Sequence, residues 1–462
     1  MPPFLLPERP LQTVDEYFAT DTGGLGLKRA VDIGPKATVR EIVQSGLRGR
    51  GGGGFPTGRK WEGVIAQGGT HRYVVANGAE GEPGTFKDRA LMRANPYQLV
   101  EGVVIAAFAV GAREAFICLK ASFEPELEAV TRAVAELQEA GVCRDCEITI
   151  VRGPDEYLFG EEKAMLEVIE GKPPLPRLFP PYEHGLFATA PQTGWQAAEN
   201  EPGHVGRHES NPTLVNNVET LSNVPHILAR GAEWFRSMGT EDSPGTVVAT
   251  VVGDVVAPDV GEVDLGTSLR GVLDAVGSGV RADRRVKAVF SGVANPVIRE
   301  PLLDVPLSYE GLQSIGSGMG AAGFIVYDDT ACMVEVGLQF SRFLWVESCG
   351  QCPPCKLGSG EITERLDRIQ AGTADMQELS EIGAWLNKVT DGNRCFLGTE
   401  ERLVVGSILG SFPEEVVEHI EGRGCPRPRS LPFPKLVDLG GGRAVYDDAV
   451  ARKQPDWTYA PA

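Results

Sequence analysis

The chain has 462 residues and a formal net charge of −19, from 63 acidic and 44 basic side chains. This is more than one ordinary domain needs, so we expect several domains, each with its own core. The acidic balance argues against nucleic acid and against anionic membrane surfaces as partners, because both would repel such a chain.

Targeting signals and cysteine usage indicate the cellular compartment. No apolar run reaches the roughly 18 residues that a membrane-spanning helix needs, and the proline-rich start, MPPFLLP, lacks the pattern of a secretory signal. The chain contains nine cysteines. In a reducing compartment, cysteines bind metals more often than they form disulfides. We therefore expect a cytoplasmic protein that does not insert directly into a membrane.

A glycine-rich segment, GLRGRGGGGFPTGRKW, spans residues 46–61. Glycines leave backbone amides bare and allow positive φ, so such a loop can wrap an anion. A flexible linker is the alternative, but linkers combine glycine with serine rather than with Arg48, Arg50 and Lys60. The residues after Gly58 also do not match a Walker loop. The segment therefore predicts a nucleotide-phosphate loop of another type.

Strands and helices alternate in the next stretch. The predicted strands and helices are, in order, Tyr73–Ala79, Pro96–Val110, Glu114–Lys120, Pro125–Ala140 and Glu147–Val151. This βαβαβ pattern predicts a parallel sheet that binds ligands at the carboxyl ends of its strands. The motifs NGAEGEPGTFKDR and EYLFGEE follow two of these strands. Their carboxylates could hold ribose hydroxyls or a carboxamide, or they could be solvated loop charges.

The middle of the chain is less informative. His184, His204 and His208 lie in an irregular, proline-rich segment, and their spacing favours solvated histidines over a metal site. Asn216 and Asn217 stand where a helix is predicted to begin, so they could simply cap it. A compact α+β module of about 80 residues should follow, and four amphipathic segments after residue 330 predict a helical bundle.

Four cysteines in that bundle carry the strongest chemical signal. Cys349, Cys352 and Cys355 form a CxxCxxC pattern, and Cys395 follows in the run RCFLG. Three thiolates from one loop and a distant fourth suit a 4Fe-4S cluster. Structural zinc is the alternative, but zinc modules usually draw two CxxC pairs from two arms. A disulfide is less favoured still.

Five motifs occur in one order: GRGGGGFPTGRKW, NGAEGEPGTFKDR, YLFGEE, NPTLVNNVETL, and CGQCPPCKLG with CFLG. Together, between residues 43 and 424, they resemble the NADH-binding flavoprotein subunit (51 kDa-type) of respiratory complex I. This family is shared with the diaphorase subunits of NAD-dependent formate dehydrogenases and hydrogenases.

The resemblance implies a domain order. It predicts a Rossmann-like α/β domain for FMN and NADH over residues 1–242 and a β-grasp-like (SLBB-type) α+β module over 243–330. A helical bundle with the 4Fe-4S cluster should span 331–425, followed by an extended tail over 426–462.

The resemblance also implies the site residues. Those that would line the flavin and dinucleotide site are Gly49, Gly51, Gly52, Gly54, Phe55, Lys60, Asn77, Tyr157, Glu161, Asn216, Asn217 and Thr220, with Glu80, Glu82 and Glu162 in catalytic roles. The cluster ligands would be Cys349, Cys352, Cys355 and Cys395.

The implied function is a diaphorase, which moves a hydride between NAD(H) and FMN and single electrons between FMN and the cluster. The implied partners are a small 2Fe-2S thioredoxin-like subunit and a larger iron–sulfur subunit, of a complex I or a formate dehydrogenase type. Through these partners the chain would lie peripherally on the inner face of the cell membrane.

Some positions depart from the family pattern. Ala79 stands where relatives carry a flavin-contacting carboxylate, Gly63 replaces a bulky apolar residue, and the segment Thr189–Ser210 is longer than usual. Ala79 and Gly63 support one alternative, a non-catalytic electron-relay or scaffold subunit that has lost NADH binding. Cys143 and Cys146 form an additional CxxC, for which surface thiols are favoured over a second metal site.

Overall fold

The structure is a computed structural model that describes residues 3–69, 71–189, 209–422, 424–426 and 429–461. The chain forms two compact units. The first comprises residues 1–80, 87–155 and 159–247, and the second comprises 81–86, 156–158 and 248–462. Within the described residues, no helix combines the length and the apolar composition that crossing a bilayer requires.

The first unit is an α/β structure. Its helices are α1 (Val14–Phe18), α2 (Leu25–Ile33), α3 (Pro35–Ser45), α4 (Thr57–Ala66), α5 (Lys87–Ala94), α6 (Pro96–Val110), α7 (Glu124–Glu139), α8 (Glu162–Ile169), α9 (Val218–Arg230) and α10 (Ala232–Arg236). Its strands are β1 (Tyr73–Asn77), β2 (Glu114–Lys120), β3 (Glu147–Gly153) and β4 (Thr213–Asn217). The sheet order is β3-β2-β1-β4, and all three pairings are parallel. The predicted parallel sheet is confirmed.

Helix α6 forms much of the core of this unit. Nearly every residue of the helix is buried, which its almost unbroken apolar sequence requires. The side chain of Asn95 caps its first turn by accepting a hydrogen bond from the Gln98 amide, and Gly111 ends it at φ 76°. Strands β1 and β2 are likewise almost entirely buried, as expected for parallel strands that are covered on both faces.

Strand β4 corrects one prediction. Residues 213–217 were expected to open a helix, but they pair with β1, and the helix begins only at Val218. The capping prediction is confirmed for Asn217, whose side chain accepts a hydrogen bond from the Glu219 amide at 3.0 Å. The two asparagines therefore end a strand as well as precede a helix.

The second unit combines a mixed sheet with helices. Its strands are β5 (Thr246–Gly253), whose first two residues belong to the first unit, β6 (Asp259–Asp264), β7 (Val286–Ser291), β8 (Ile298–Arg299), β9 (Gly323–Asp328), β10 (Leu436–Gly440) and β11 (Arg443–Tyr446). Its helices are α11 (Leu269–Gly277), α12 (Tyr309–Ser314), α13 (Met333–Glu347), α14 (Pro353–Gln370), α15 (Gln377–Lys388), α16 (Leu397–Ser411) and α17 (Pro413–Gly422). The main sheet has the order β6-β5-β9-β7-β8.

The pairings of that sheet are mixed, because β5 runs parallel to β9 while β7 runs antiparallel to both β9 and β8. Near the C-terminus, β10 and β11 form a hairpin whose turn residues, Gly441 and Gly442, have φ of 59° and 73°. Two positive φ angles in a two-residue turn match the right-handed twist of a hairpin. The predicted α/β class and helical C-terminal region are confirmed, and the four-domain division stays a prediction.

Candidate functional site

The glycine loop, residues 48–56, is a closed turn between α3 and α4. Arg48 and Pro56 form an antiparallel bridge at its base, and the Gly49 amide donates a hydrogen bond to the Phe55 carbonyl at 2.9 Å. Gly52 and Gly54 have φ of 118° and 58°, which disfavour any other residue. The four consecutive glycines Gly51 to Gly54 leave the backbone amides of the loop without side-chain cover. These amides suit an anionic ligand.

The loop is anchored to helix α9 and to strand β4. The Arg50 amide donates a hydrogen bond to the Thr220 hydroxyl at 2.9 Å, and the Arg50 guanidinium donates to the carbonyls of Pro244 and Thr246 at 3.2 and 3.0 Å. A Cβ on Gly51 would lie 3.0 Å from Cβ of Asn217. The loop therefore passes directly over the end of β4, and Thr220 supports its backbone.

A buried ion network lies at the same sheet edge. The Lys87 ammonium is fully buried, 2.7 Å from the Asp88 carboxylate and 2.9 Å from the Glu219 carboxylate. Burial alone would lower the pKa of Lys87, but the two carboxylates outweigh it and raise the pKa above its usual value. The Asn217 side chain accepts a hydrogen bond from Lys87 at 3.2 Å and donates one to Asp88 at 2.7 Å.

Lys87, Asp88 and Glu219 were not predicted as site residues, although two of the quoted motifs contain them. Charged residues in a motif are ambiguous until burial is known, because most charges are solvated. No local pattern identifies them, because Lys87 and Asp88 stand in the polar run EPGTFKDR and their burial depends on tertiary packing.

The three predicted asparagines lie at the carboxyl ends of adjacent strands. Asn77 pairs in register with Asn217, and Asn216 precedes Asn217 at the end of β4. The Asn77 side chain donates a hydrogen bond to the Gly160 carbonyl at 2.7 Å, and the Asn216 side chain accepts one from the Trp61 indole at 2.9 Å. The structure thus brings them together, with part of each amide already bonded within the protein.

Glu80 and Glu161 each bind the amino end of a helix. Glu80 accepts hydrogen bonds from the amides of Asp88 and Arg89 at 3.2 Å, and Glu161 accepts from those of Lys163 and Ala164 at 2.9 Å. Burial raises the pKa of each carboxyl to about 7, with the charge of Asp88 adding to the rise at Glu80. Both groups can therefore take up or release a proton near neutral pH.

Lys60 and Glu162 form an ion pair in which both side chains remain partly exposed, at 21% and 42%. The ring of Phe55 is 57% exposed, which is unusual for a large apolar side chain. An exposed ring in the glycine loop is available to stack on a planar ligand. Lys60, Glu162 and Phe55 thus offer charge and an aromatic surface to a molecule bound at the loop.

Glu82 and Tyr157 belong to the second unit. The Tyr157 hydroxyl donates a hydrogen bond to Glu82 and lies 3.3 Å from both carboxylate oxygens of Glu400, which sequence reasoning did not identify. The Val293 amide donates to Glu82 at 2.6 Å. Burial raises the pKa values of Glu82 and Glu400, and the charge of Glu82 adds to the rise at Glu400. Two carboxyls around one hydroxyl favour a shared proton.

The four cluster cysteines lie on two adjacent segments of the second unit. Cys349 stands in the turn after α13, Cys352 occupies the position just before α14, and Cys355 lies in the first turn of α14. Cys395 precedes α16, and the amide of its neighbour Arg394 donates a hydrogen bond to the Cys352 sulfur at 3.4 Å. This contact joins the two segments.

The surroundings of these sulfurs fit an iron–sulfur cluster. The Gln351 side chain donates a hydrogen bond to the Cys349 sulfur at 3.7 Å, and the Ser348 hydroxyl lies 3.4 Å from the Cys355 sulfur. Four thiols are the donor set that a cubane cluster needs, and hydrogen bonds to sulfur are among the features that set its potential. The four residues therefore fit a 4Fe-4S cluster.

The predictions for the additional cysteines and for His184 were wrong. Cys143 and Cys146 were expected at the surface, but both are buried in the turn between α7 and β3. Burial raises their pKa values to about 11 and about 12. His184 is also buried rather than solvated. His204, His208 and most of Thr189–Ser210 lie outside the described residues.

The departures from the family pattern have distinct surroundings. Ala79 is buried in an apolar cluster that includes Val75 and Phe159. A carboxylate at position 79 would therefore be costly in this chain. In contrast, a Cβ on Gly63 would meet nothing within 4 Å.

Comparisons with known proteins agree with this geometry. Residues 42–226 match the family model described as the Nuo51 FMN-binding domain, and residues 335–419 match the NADH-ubiquinone oxidoreductase-F iron–sulfur binding region. The NADH-quinone oxidoreductase F subunit of Streptomyces coelicolor is 38% identical over 425 residues, which cover 90% of this chain and 89% of the relative. The chain belongs to this NADH-quinone oxidoreductase flavoprotein family.

Further relatives come from hydrogenases. The NADP-reducing hydrogenase subunit HndC of Solidesulfovibrio fructosivorans is 32% identical over 424 residues, 90% of this chain and 82% of the relative. The crystal structure of an NAD⁺-reducing [NiFe]-hydrogenase in the H₂-reduced state matches with a TM-score of 0.75 at 29% identity, covering 92% of this chain and 68% of that one. The predicted family, FMN and 4Fe-4S cluster are confirmed.

Proposed function

We propose that this chain is the NADH-oxidising subunit of a multi-subunit oxidoreductase. It would move a hydride between NAD(H) and FMN, and single electrons between FMN and a 4Fe-4S cluster. The observation that carries this proposal is the glycine loop, held over the carboxyl end of β4 by Thr220 and by Arg50. Bare amides at such a sheet edge suit the phosphate of a nucleotide.

The residues around this loop fit FMN. We assign the phosphate and ribityl chain to the glycine loop with Lys60, and the isoalloxazine ring to the strand-end asparagines. When bound, FMN accepts two electrons with a hydride from NADH and passes them on one at a time. The remaining groups position these molecules: Phe55 offers its exposed ring to the adenine of NADH, while Lys60 and Glu162 bind polar parts of the ligands.

The rigidity of the loop matters for this chemistry. Two planar molecules must stack at van der Waals distance for hydride transfer, so a loop that shifted by even an ångström would lose rate. The buried Lys87 network holds Asn217 by two hydrogen bonds, and Asn217 lies directly under Gly51. The network therefore acts on the loop by positioning Asn217.

The carboxyls near the loop control protons and charge. Glu80 and Glu161 have pKa values of about 7, so each can hold a proton without leaving the helix end that it caps. Their negative charge, when present, disfavours an anionic form of a nearby flavin by like-charge repulsion. Tyr157 and Glu82, in the second unit, are assigned to dinucleotide binding through the family motifs that contain them.

Electrons would leave through the cluster at Cys349, Cys352, Cys355 and Cys395 to partner subunits. We propose a small 2Fe-2S thioredoxin-like subunit and a larger iron–sulfur subunit of a complex I or a formate dehydrogenase type as these partners. The names of the relatives support a multi-subunit setting. In the cell, the chain would be cytoplasmic and peripheral to the inner face of the membrane.

Cys352→Ser tests whether the cysteines bind the cluster independently of FMN. The variant should lose the electron paramagnetic resonance signal of the cluster and most of its iron, while FMN remains bound and is still reduced by NADH. Cys143→Ser is the matched control, because Cys143 is a buried thiol outside the assigned cluster ligands, and it should retain both properties. Unchanged iron in Cys352→Ser, or equal iron loss in both variants, would refute the cluster assignment.

A further inference from the structure

Three more metal-binding side chains converge in the second unit. The ligand atoms of Cys332, His419 and Cys425 all lie within 4.8 Å of one another. The Cys332 sulfur is 3.2 Å from Nε2 of His419. Cys332 and His419 are buried, with exposures of 1% and 0%, whereas Cys425 is partly exposed. None of the three belongs to the predicted 4Fe-4S ligands.

Each buried ligand is oriented for binding. Nδ1 of His419 lies 2.6 Å from the Glu415 carbonyl oxygen, so Nδ1 carries the proton and Nε2 presents its lone pair to the sulfur. Cys332 caps the amino end of α13, and its sulfur accepts a hydrogen bond from the Glu335 amide at 3.4 Å.

The neighbouring charged group is already engaged. The Glu415 carboxylate pairs with Lys287 at 2.5 Å and accepts a hydrogen bond from the Met333 amide at 3.1 Å. It therefore leaves the two sulfurs and the imidazole as the donor set. Gln370, at the end of α14, brings its side-chain oxygen to 3.8 Å from the Cys332 sulfur. This oxygen, or a water molecule, can complete a tetrahedron.

We propose that Cys332, His419 and Cys425 bind one Zn²⁺ ion. Two thiolates and one imidazole are a donor set that zinc prefers, and a tetrahedral site with an oxygen in the fourth position is within its range. The ion ties the segment that follows α17 to the amino end of α13, the helix that leads into the cysteine loop. Its role is structural, and it does not depend on the proposed reaction.

Metal analysis of the full-length protein tests the site. The protein is produced in zinc-supplemented medium and purified without chelator, and its zinc and iron are measured by inductively coupled plasma mass spectrometry. We expect about one zinc per chain in the wild type, and a loss of at least about tenfold in Cys425→Ala. Iron should be retained in this variant. Cys143→Ala, the matched control, should keep both metals.

Zinc K-edge X-ray absorption supplies an independent readout, because iron and flavin do not contribute to it. The first coordination shell of zinc should contain two sulfurs, one imidazole nitrogen and one oxygen. Since Cys425 is partly exposed in a loop, its truncation should leave the fold intact, which far-ultraviolet circular dichroism checks. Three results would each overturn the proposal: no zinc in the wild type, zinc retained in Cys425→Ala, or a Cys332–Cys425 disulfide in the peptide map.

Discussion

At the scale of single residues, Lys87 is the cation of the buried ion network beside the glycine loop. It is fully buried between Asp88 and Glu219. Removing one partner of a buried ion network leaves an uncompensated charge, so Lys87→Met should lower the free energy of unfolding by about 3–5 kcal/mol. Denaturant unfolding measures this loss. Lys36→Met, at an exposed position, is the control and should change stability by less than about 0.5 kcal/mol.

The pKa of Glu161 gives a prediction about pH. Its folded-state pKa of about 7 lies above the ordinary value of 4.5. The native state therefore binds more protons than the unfolded state between these values. Its contribution to stability is fully present below pH 4.5 and is lost as the pH rises through 7.

Glu161→Gln keeps an acceptor for the two capped amides and removes the titration. When the pH is raised from 5 to 8, the free energy of unfolding should therefore fall in both proteins, but by about 1–3 kcal/mol less in the variant than in the wild type. Urea unfolding at the two pH values measures this difference, and Glu124→Gln, at an exposed position, serves as the control. Parallel pH profiles for wild type and Glu161→Gln would show that the pKa is not raised.

The sequence identified some residues better than others. Asn217 was predicted as a helix cap, and it is one, because capping depends on a local pattern. Glu80, Glu161 and Thr220 were found through family motifs, but their contacts to helix ends and to the loop backbone depend on tertiary packing. Which atoms of a motif residue remain available to a ligand cannot be inferred from residue type alone.

At the scale of elements, Thr220 of α9 supplies one of the contacts that hold the glycine loop. Thr220→Val keeps the shape of the side chain but leaves the buried Arg50 amide without its acceptor. FMN affinity should fall about tenfold, corresponding to about 1.4 kcal/mol. Fluorescence titration of the flavin-free protein measures it. Thr38→Val, a buried threonine in α3, provides the control. Equal FMN affinity in wild type and Thr220→Val would show that the contact between Thr220 and the loop does not support flavin binding.

The periodicity of the sequence predicted some secondary-structure elements and missed others. The long apolar stretch of α6 and the buried strands β1 and β2 were predicted because their patterns extend over many residues. Strand β4 has only five residues and runs directly into α9, so its pattern merged with that of the helix. Its pairing with β1 is a long-range contact that local sequence does not encode.

At the scale of the whole molecule, the C-terminal tail is bound tightly to the second unit. The Lys453 ammonium is buried at 2.8 Å from the Glu347 carboxylate, two residues before Cys349. The Lys356 ammonium donates a hydrogen bond to the Pro455 carbonyl at 2.6 Å, and the Trp457 indole donates to the Val346 carbonyl at 2.9 Å. The tail therefore covers the end of α13 and the cysteine loop.

Lys453→Met should leave Glu347 buried without its cation and lower the free energy of unfolding by about 3–5 kcal/mol. Because Glu347 adjoins the cysteine loop, iron should be released to a chelator faster than in the wild type. Arg443→Met, an exposed change in the same tail, should release iron at the wild-type rate. Equal rates in Lys453→Met and Arg443→Met would mean that the tail does not protect the cluster.

The family, the cofactors and the α/β class could be predicted for the whole chain, because five motifs in a fixed order carry that information. The buried ion network, the tail contacts and the Cys332–His419–Cys425 group could not. Each joins residues far apart in sequence, and the partners are ordinary charged or sulfur-containing residues outside any spaced pattern. Such contacts emerge only when the elements pack.

The most direct test of the central claim is an anaerobic absorbance spectrum of the purified holoprotein, recorded before and after one equivalent of NADH. Hydride transfer to FMN predicts prompt bleaching of the flavin band over the iron–sulfur background. A flavin band that persists with NADH but bleaches with dithionite would contradict the claim. The chain would then be an electron relay that has lost NADH binding.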